Sequence, residues 1–255
     1  MNNRAVLRLS GADAPSFLQG LLTQDVSALA AGAPLYAGLL SAQGKALFQL
    51  FLFADGADVL IDVEAGQAEA LAKRLAMFRL RKQVGIAPEP GLKVFQSWDG
   101  AGNDPRGAFV GSRFVAGDAA VDATLADWHA HRLPLALPEA DEIGSDELLW
   151  LETNARELNG VSFTKGCYTG QENTARMHHR DKLRKRLLPL RLTGPSTPDA
   201  AVMAGDRQAG ELRGQRHGDL QMAIFRLDYA DQPLSVDGAE AELISPPWQG
   251  GAGGG

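Results

Sequence analysis

Between residues 5 and 87 the apolar residues change period in a set order, and that order restricts the fold more than any other feature of the chain. Residues 5–9 alternate as a strand, and residues 14–22 then place Phe17, Leu18, Leu21 and Leu22 on one helical face. Residues 36–40 and 45–53 are apolar strand candidates joined by Ser41-Ala-Gln-Gly44, and residues 59–63 continue the meander after the Asp55-Gly56 turn. Residues 66–82 form the clearest helix, with Ala68, Leu71, Leu75 and Phe78 on one side and Lys73, Arg74, Arg81 and Lys82 largely on another. Residues 84–87 supply the next strand. A strand-helix-strand-strand-helix-strand order around one antiparallel sheet is the ferredoxin-like pattern.

The pattern recurs more faintly from residue 91, with strands at 93–98 and 108–115 and a helix at 121–131, which predicts a second module of related design. A Pro-rich stretch, 133–138, and the acidic run 139–147 connect to a helix marked by Leu148, Leu151, Ala155 and Leu158. Short strands at 187–192, 206–213, 220–227 and 239–244, separated by turn residues, predict a small barrel. The expected class is α+β, with two ferredoxin-like modules (about 1–90 and 91–180), a C-terminal β-barrel over 181–248, and a glycine tail over 249–255 with no side chains to bury and hence disordered.

With 45% hydrophobic and 22% charged residues in 255, the chain has the composition of a soluble globular protein. No apolar run approaches the length of a membrane span. Met1-Asn-Asn-Arg4 leads straight into a strand without a signal-peptide core, so a cytoplasmic, bacterial location is expected. The single cysteine, Cys167, excludes an internal disulfide and suits a reducing compartment. One thiolate also cannot hold a four-thiolate cluster alone, so an iron-sulfur cluster is expected only transiently if at all, with a second subunit, a partner or small-molecule thiols completing its ligands. A net charge of -6 argues against a nucleic-acid coat. Against it, Arg176, Arg180, Lys182, Arg184, Lys185, Arg186 and Arg191 make a locally basic segment, either a solvated turn or a site for an anionic ligand or partner.

Cys167 sits among three glycines, Gly160, Gly166 and Gly170, which places it on a tight bend. Thr169 followed by Glu172 has the spacing of a capping box, so a helix is expected to begin there. Its dipole, with Lys165 and Arg176, would favour the thiolate of a reactive, exposed Cys167. Lys165 is equally readable as a solvated lysine, Glu172 as a cap, and Tyr168 as packing. His178 and His179 lie too far along such a helix, about 15 Å at 1.5 Å per residue, to pair directly with the sulfur. No phosphate loop, paired-cysteine zinc spacing or nucleophile elbow is present, and no metal site is expected.

The run Lys165-Gly-Cys-Tyr-Thr-Gly-Gln-Glu172 resembles the signature of the YgfZ family, folate-binding proteins that assist iron-sulfur cluster assembly and repair. Leu151-Glu-Thr-Asn154, Asn159-Gly-Val-Ser-Phe163, Thr174-Ala-Arg176 and Arg184-Lys-Arg-Leu187 are similar to its alpha-proteobacterial and mitochondrial branch, and residues 10–26 and Gln43-Gly-Lys45 to the family's opening. The resemblance implies a relative of the glycine-cleavage aminomethyltransferases, with tetrahydrofolate in a central cavity where the modules and barrel meet. It implies Cys167 and Lys165 as reacting groups, and Glu152, Asn154, Tyr168, Gln171, Glu172 and Arg176 as folate contacts. Glu152 resembles the glutamate that faces the pterin, whose adjacent N–H donors suit a carboxylate. The aspartate pair of the aminomethyltransferases is replaced by Phe48 and Gln49, and the aspartate of their Lys-Gly-Asp-Phe motif by Cys167.

The function so implied is a tetrahydrofolate-binding accessory protein for iron-sulfur cluster assembly, transfer or repair, with folate and iron-sulfur client or assembly proteins as partners. The alternatives are a tetrahydrofolate-dependent one-carbon transferase, against which the lost carboxylates argue, and an interaction module docking an acidic client on residues 176–191.

Overall fold

A computed structural model describes residues 1, 3–29, 33–99, 102–120, 123–180 and 183–251. The chain forms two compact units, Met1–Val121 with Ala155–Ala175, and Asp122–Asn154 with Arg176–Gly255. The division expected at residue 180 therefore falls differently: residues 122–154 group with the barrel, and residues 155–175 return to the first unit.

The first unit is built on β1 (Arg4–Ser10), α1 (Ala14–Gln19), β2 (Leu35–Leu40), β3 (Ala46–Asp55), β4 (Asp58–Glu64), α2 (Ala68–Arg79) and β5 (Gly85–Pro88). Its five strands lie in the order β2-β3-β4-β1-β5, all antiparallel. Without β2 the order is that of the ferredoxin-like fold, and β2 is an added strand beyond β3. The outer side of β2 is met by the chain leaving α1: Leu22 bridges Leu39, and the Thr23 hydroxyl accepts the Gly38 N–H at 2.8 Å.

Strand alternation sorts the sheet into two faces. Leu7, Leu9, Leu39, Leu50, Leu52, Val59, Ile61 and Val63 point to one side, where Phe17 and Leu18 of α1 and Leu71 and Leu75 of α2 close the core. A fully buried leucine there contributes about 1.5–3 kcal/mol. The opposite face carries Val6 and Leu60, against which Val94 packs, and the charged residues Arg4 and Asp62. Val94 belongs to β6 (Lys93–Ser97), paired antiparallel with β7 (Ser112–Ala116). Arg113 of β7 reaches back so that the fully buried Asp62 carboxylate accepts from Arg4 Nε at 2.6 Å and Arg113 Nε at 2.7 Å. Phe51 lies under both of these guanidiniums, Arg113 at 3.9 Å and Arg4 at 5.5 Å from its ring centre, and Arg106 joins them at 4.9 Å. The second module is thus abbreviated among the described residues, a two-stranded sheet where the first has five.

In the second unit, α3 (Leu125–Arg132) starts later than expected because Thr124 and Asp127 form a reciprocal cap, the Asp127 N–H donating to the Thr124 hydroxyl at 3.2 Å and the Thr124 N–H to the Asp127 carboxylate at 2.7 Å. A short α4 (Ala140–Ile143) follows, and Arg132 forks onto the buried Glu142 at 2.8 and 2.9 Å. The continuous helix expected over 148–158 is not formed. A 3-10 turn, Trp150–Thr153, ends at Asn154, whose φ of 66° turns the chain out of the helix, and Asn159 repeats this at 54°.

After α5 (Gln171–Arg180), six strands close a barrel: β8 (Lys185–Leu192), β9 (Ala201–Ala204), β10 (Arg207–His217), β11 (Leu220–Arg226), β12 (Leu234–Val236) and β13 (Ala239–Leu243). Of the tail expected to be disordered, residues 249–251 belong to a 3-10 turn, Pro247–Gly251, anchored by Trp248, whose Nε1 donates to Leu135 O at 2.8 Å. Residues 252–255 lie outside the described residues.

Candidate functional site

The bend around Cys167 is assembled from the end of α1 upward. Helix α1 leaves its last carbonyls without intrahelical partners, and these carry the negative end of the helix dipole. Lys165 meets part of that need and holds the segment beyond it: its Nζ donates to Gln19 O at 2.8 Å, the last residue of α1, and to Leu22 O at 2.7 Å and Gln24 O at 2.9 Å past the helix end. All three ammonium protons are thereby used, and the expectation that Lys165 stabilises a thiolate is corrected to a role in holding the bend. Burial pushes its pKa down to about 8, with Asp25 opposing. The same segment is held again upstream, where Thr23 Oγ1 donates to Gly160 O at 2.6 Å and Gln24 Nε2 to Asn159 O at 2.8 Å. Gly160 is required there, since a Cβ would stand 2.8 Å from the Tyr36 ring. Thr23 and Gln24 carried no assigned role in the sequence reading; their side chains act on carbonyls more than 130 residues away, which no local pattern signals.

Past Lys165, Gly166 and Cys167 are exposed, and a Cβ on Gly166 would meet nothing. Tyr168 turns inward again. It is 8% exposed, its ring lies 5.2 Å from the Lys165 ammonium, and burial raises its pKa while a hydrogen bond with Thr174 opposes this. The thiol is therefore presented between two buried anchors, Lys165 and Tyr168.

Helix α5 begins at Gln171, so Gly170 with φ of 82° directly precedes it where Thr169 was expected to. That corner packs on the turn between β2 and β3: Asn173 Nδ2 donates to Gln43 O at 2.9 Å, and a Cβ on Gly170 would fall 2.5 Å from Ser41 O. Gln171 is half-buried, while Glu172 and Arg176 are exposed on α5.

The remaining expected residues belong to the second unit. Glu152 is half-buried, and its carboxylate accepts the Leu149 N–H at 3.0 Å. Asn154 is fully buried: its amide donates to Leu187 O at 2.7 Å and Ala136 O at 3.3 Å, and its oxygen accepts from Arg186 at 3.5 Å. Asn154 is corrected from ligand contact to scaffold. The basic run does not form one patch either. Arg186 is buried, Arg191 is paired with Asp219 and Glu242, and Lys182 lies outside the described residues. Gln49 is buried in the first unit and donates to the Tyr36 hydroxyl at 2.9 Å.

Among the described residues no helix is long and apolar enough to cross a membrane. Residues 184–251 match the model of the CAF17 C-terminal beta-barrel domain. A solved structure of the glycine cleavage system aminomethyltransferase T from Bartonella henselae superposes on 96% of this chain and 84% of its own with a TM-score of 0.74 at 14% identity, a likeness of fold. The iron-sulfur cluster assembly factor IBA57, mitochondrial, of Homo sapiens is 34% identical over 97% of this chain and 84% of its own length. The Mus musculus protein of the same name is 32% identical over the same shares, and the Neurospora crassa homologue 29% over 99% and 67%. All three are named as mitochondrial proteins, and the expectation of a bacterial cytoplasmic location is corrected on that ground. With its fold shared across nearly the whole chain and a relative 34% identical of which it spans 84%, the chain belongs to the family of the iron-sulfur cluster assembly factor IBA57.

Proposed function

We propose that the chain supports iron-sulfur cluster assembly, with Cys167 as the group that meets the cluster or its carrier. The observation that carries this reading is the exposure of the sole cysteine on a bend whose neighbours on both sides, Lys165 and Tyr168, are buried. The names of the relatives support the process. A thiolate is the form that ligates iron, and coordination replaces the S–H proton by the metal. One cysteine supplies one ligand, so assembly partners provide the others. The cluster is cargo in this scheme, passed on rather than kept.

Tetrahydrofolate belongs to the same proposal in a narrower form. Asn154 and Tyr168 do not fit as its contacts, because their polar atoms are used inside the protein. The fit rests on Glu152, whose carboxylate has the acceptor chemistry for adjacent pterin N–H groups. Folate is in this reading a ligand that steadies the protein, since Phe48 and Gln49 offer no carboxylate for aminomethyl transfer.

The test is restoration of iron-sulfur enzyme activity in a strain lacking the endogenous protein. Cys167→Ala should keep the circular-dichroism spectrum and restore nothing; full restoration rejects the role of the thiol.

A further inference from the structure

Helix α2 buries Leu71 and Leu75, but its last turn leaves Met77 62% exposed and the next residue beyond the helix, Leu80, 86% exposed. The helix ends because Leu80 takes φ of 49° and ψ of -115°, with Lys82 N–H donating to Arg79 O at 2.9 Å. This is the second position of a type II′ turn, which glycine fills without strain and leucine does not. Leucine gains no burial in return, so the folding of this corner alone does not account for the side chain it carries.

Beside it lies a hollow of about 500 Å³ lined by Asp13, Phe78, Arg79, Leu80, Arg81 and Lys82. Asp13 is committed, its carboxylate accepting the Gln83 N–H at 2.7 Å. Arg74 lies over the Phe78 ring at 5.1 Å, and Arg79 donates to Val84 O at 3.3 Å. Among the described residues neither Arg81 nor Lys82 forms an ion pair, although the chain as a whole carries a charge of -6. Three cations, Arg79, Arg81 and Lys82, thus line the hollow with the exposed Leu80 and the half-buried Phe78.

We propose that this corner docks an acidic amphipathic segment of a partner protein, whose apolar side chain enters the hollow against Leu80 and Phe78, next to the exposed Met77 in sequence, while its carboxylates pair with Arg79, Arg81 and Lys82. Arginine and large apolar groups around a small concavity are the composition of an interface centre, and methionine adapts to the shape of what it meets. Charge complementarity chooses the occupant. A broad anionic surface such as a membrane or nucleic acid would meet the chain's overall charge of -6 beyond the patch, whereas a short segment engages the cations alone. The proposal does not rest on the role given to Cys167.

The test uses the full chain with methionine and leucine methyls labelled, titrated with a synthetic helical peptide bearing leucine anchors flanked by glutamates. The peptide should shift the Met77 and Leu80 methyl signals, and its affinity should fall as salt rises. An analogue with alanine in place of the anchors should bind about tenfold or more weakly. Leu80→Gly should raise the melting temperature and weaken peptide binding by about tenfold, two effects of opposite sign that a structural leucine cannot produce. Arg81→Glu with Lys82→Glu should abolish binding and leave melting unchanged. Unshifted methyls at saturating peptide, or equal binding by Leu80→Gly, would overturn the proposal. So would Leu80-dependent dimerisation in sedimentation, which assigns the patch to a second copy, or binding to phosphatidylserine vesicles but not to the peptide.

Discussion

Replacing Asp62 by asparagine removes the negative charge with which both Arg4 and Arg113 pair. The side chain of Asp62 is fully buried, and those of Arg4 and Arg113 are 4% and 2% exposed. Burial already pushes the pKa of Arg113 down to about 10, against which the Asp62 charge pushes it up. Asparagine keeps an acceptor of the same shape but leaves both cations uncompensated. Breaking a buried pair in this way costs about 3–5 kcal/mol, a large part of the roughly 5–15 kcal/mol that holds a folded domain. At a typical urea dependence of about 2 kcal/mol per molar, the midpoint of the first unit should fall by about 2 M. Trp128, Trp150 and Trp248 lie in the second unit, so tryptophan fluorescence follows mainly the wrong half of the molecule. Amide hydrogen exchange in β1 and β4 is the suitable readout, and protection there should drop by about a hundredfold or more. Asp62→Leu combined with Arg4→Met and Arg113→Met should recover most of the loss, because an apolar replacement of the whole cluster leaves no orphaned charge. A loss under about 1 kcal/mol for Asp62→Asn, with β1 and β4 protection unchanged, would refute the dependence of these cations on Asp62.

The Lys165 ammonium titrates near pH 8 when folded and near its ordinary 10.5 when unfolded, so the unfolded chain binds the extra proton between those values. Relative to Lys165→Met, the stability of the native protein should therefore rise with pH across that window; a flat difference by denaturation at pH 7, 8.5 and 10 would mean that the three carbonyls keep the ammonium charged throughout. Gly170→Ala forces an alanine to φ of 82° and a Cβ to 2.5 Å from Ser41 O, and should cost about 2 kcal/mol or more while changing the alkylation rate of Cys167; unchanged melting would show that the corner yields freely. Glu152→Gln retains an acceptor for the Leu149 N–H but loses the charge, so calorimetric titration with reduced folate should weaken by about tenfold at unchanged stability; equal affinity would remove Glu152 from the ligand reading.

Strand and helix order in the first unit was legible because β1 alternates, β3 and β4 are apolar runs separated by the Asp55-Gly56 turn, and α2 repeats its apolar face. Helix α3 was misplaced although Thr124 and Asp127 carried the capping spacing that starts it. Strands β9 and β12, four and three residues long, were too short to leave a period. The bend around Cys167 was readable as a bend from its glycines, and the thiol is exposed as expected. The work of Lys165 was not readable, since its partners are carbonyls, which every residue has, and their convergence depends on how α1 ends. Asn154 and Asn159 interrupt the apolar spacing of residues 148–158 through backbone conformation, which the side-chain pattern conceals. Leu80 stands where a glycine would have announced the turn.

The ammonium clamp on α1 also limits where sulfur can go. Two residues of fully extended chain span at most about 7 Å, so Cys167 is on a short leash from Lys165, and Tyr168 tethers it from the other side. Such a thiol cannot swing across a surface. In the proposed role, a partner has to travel to the bend and fit itself around a stationary atom.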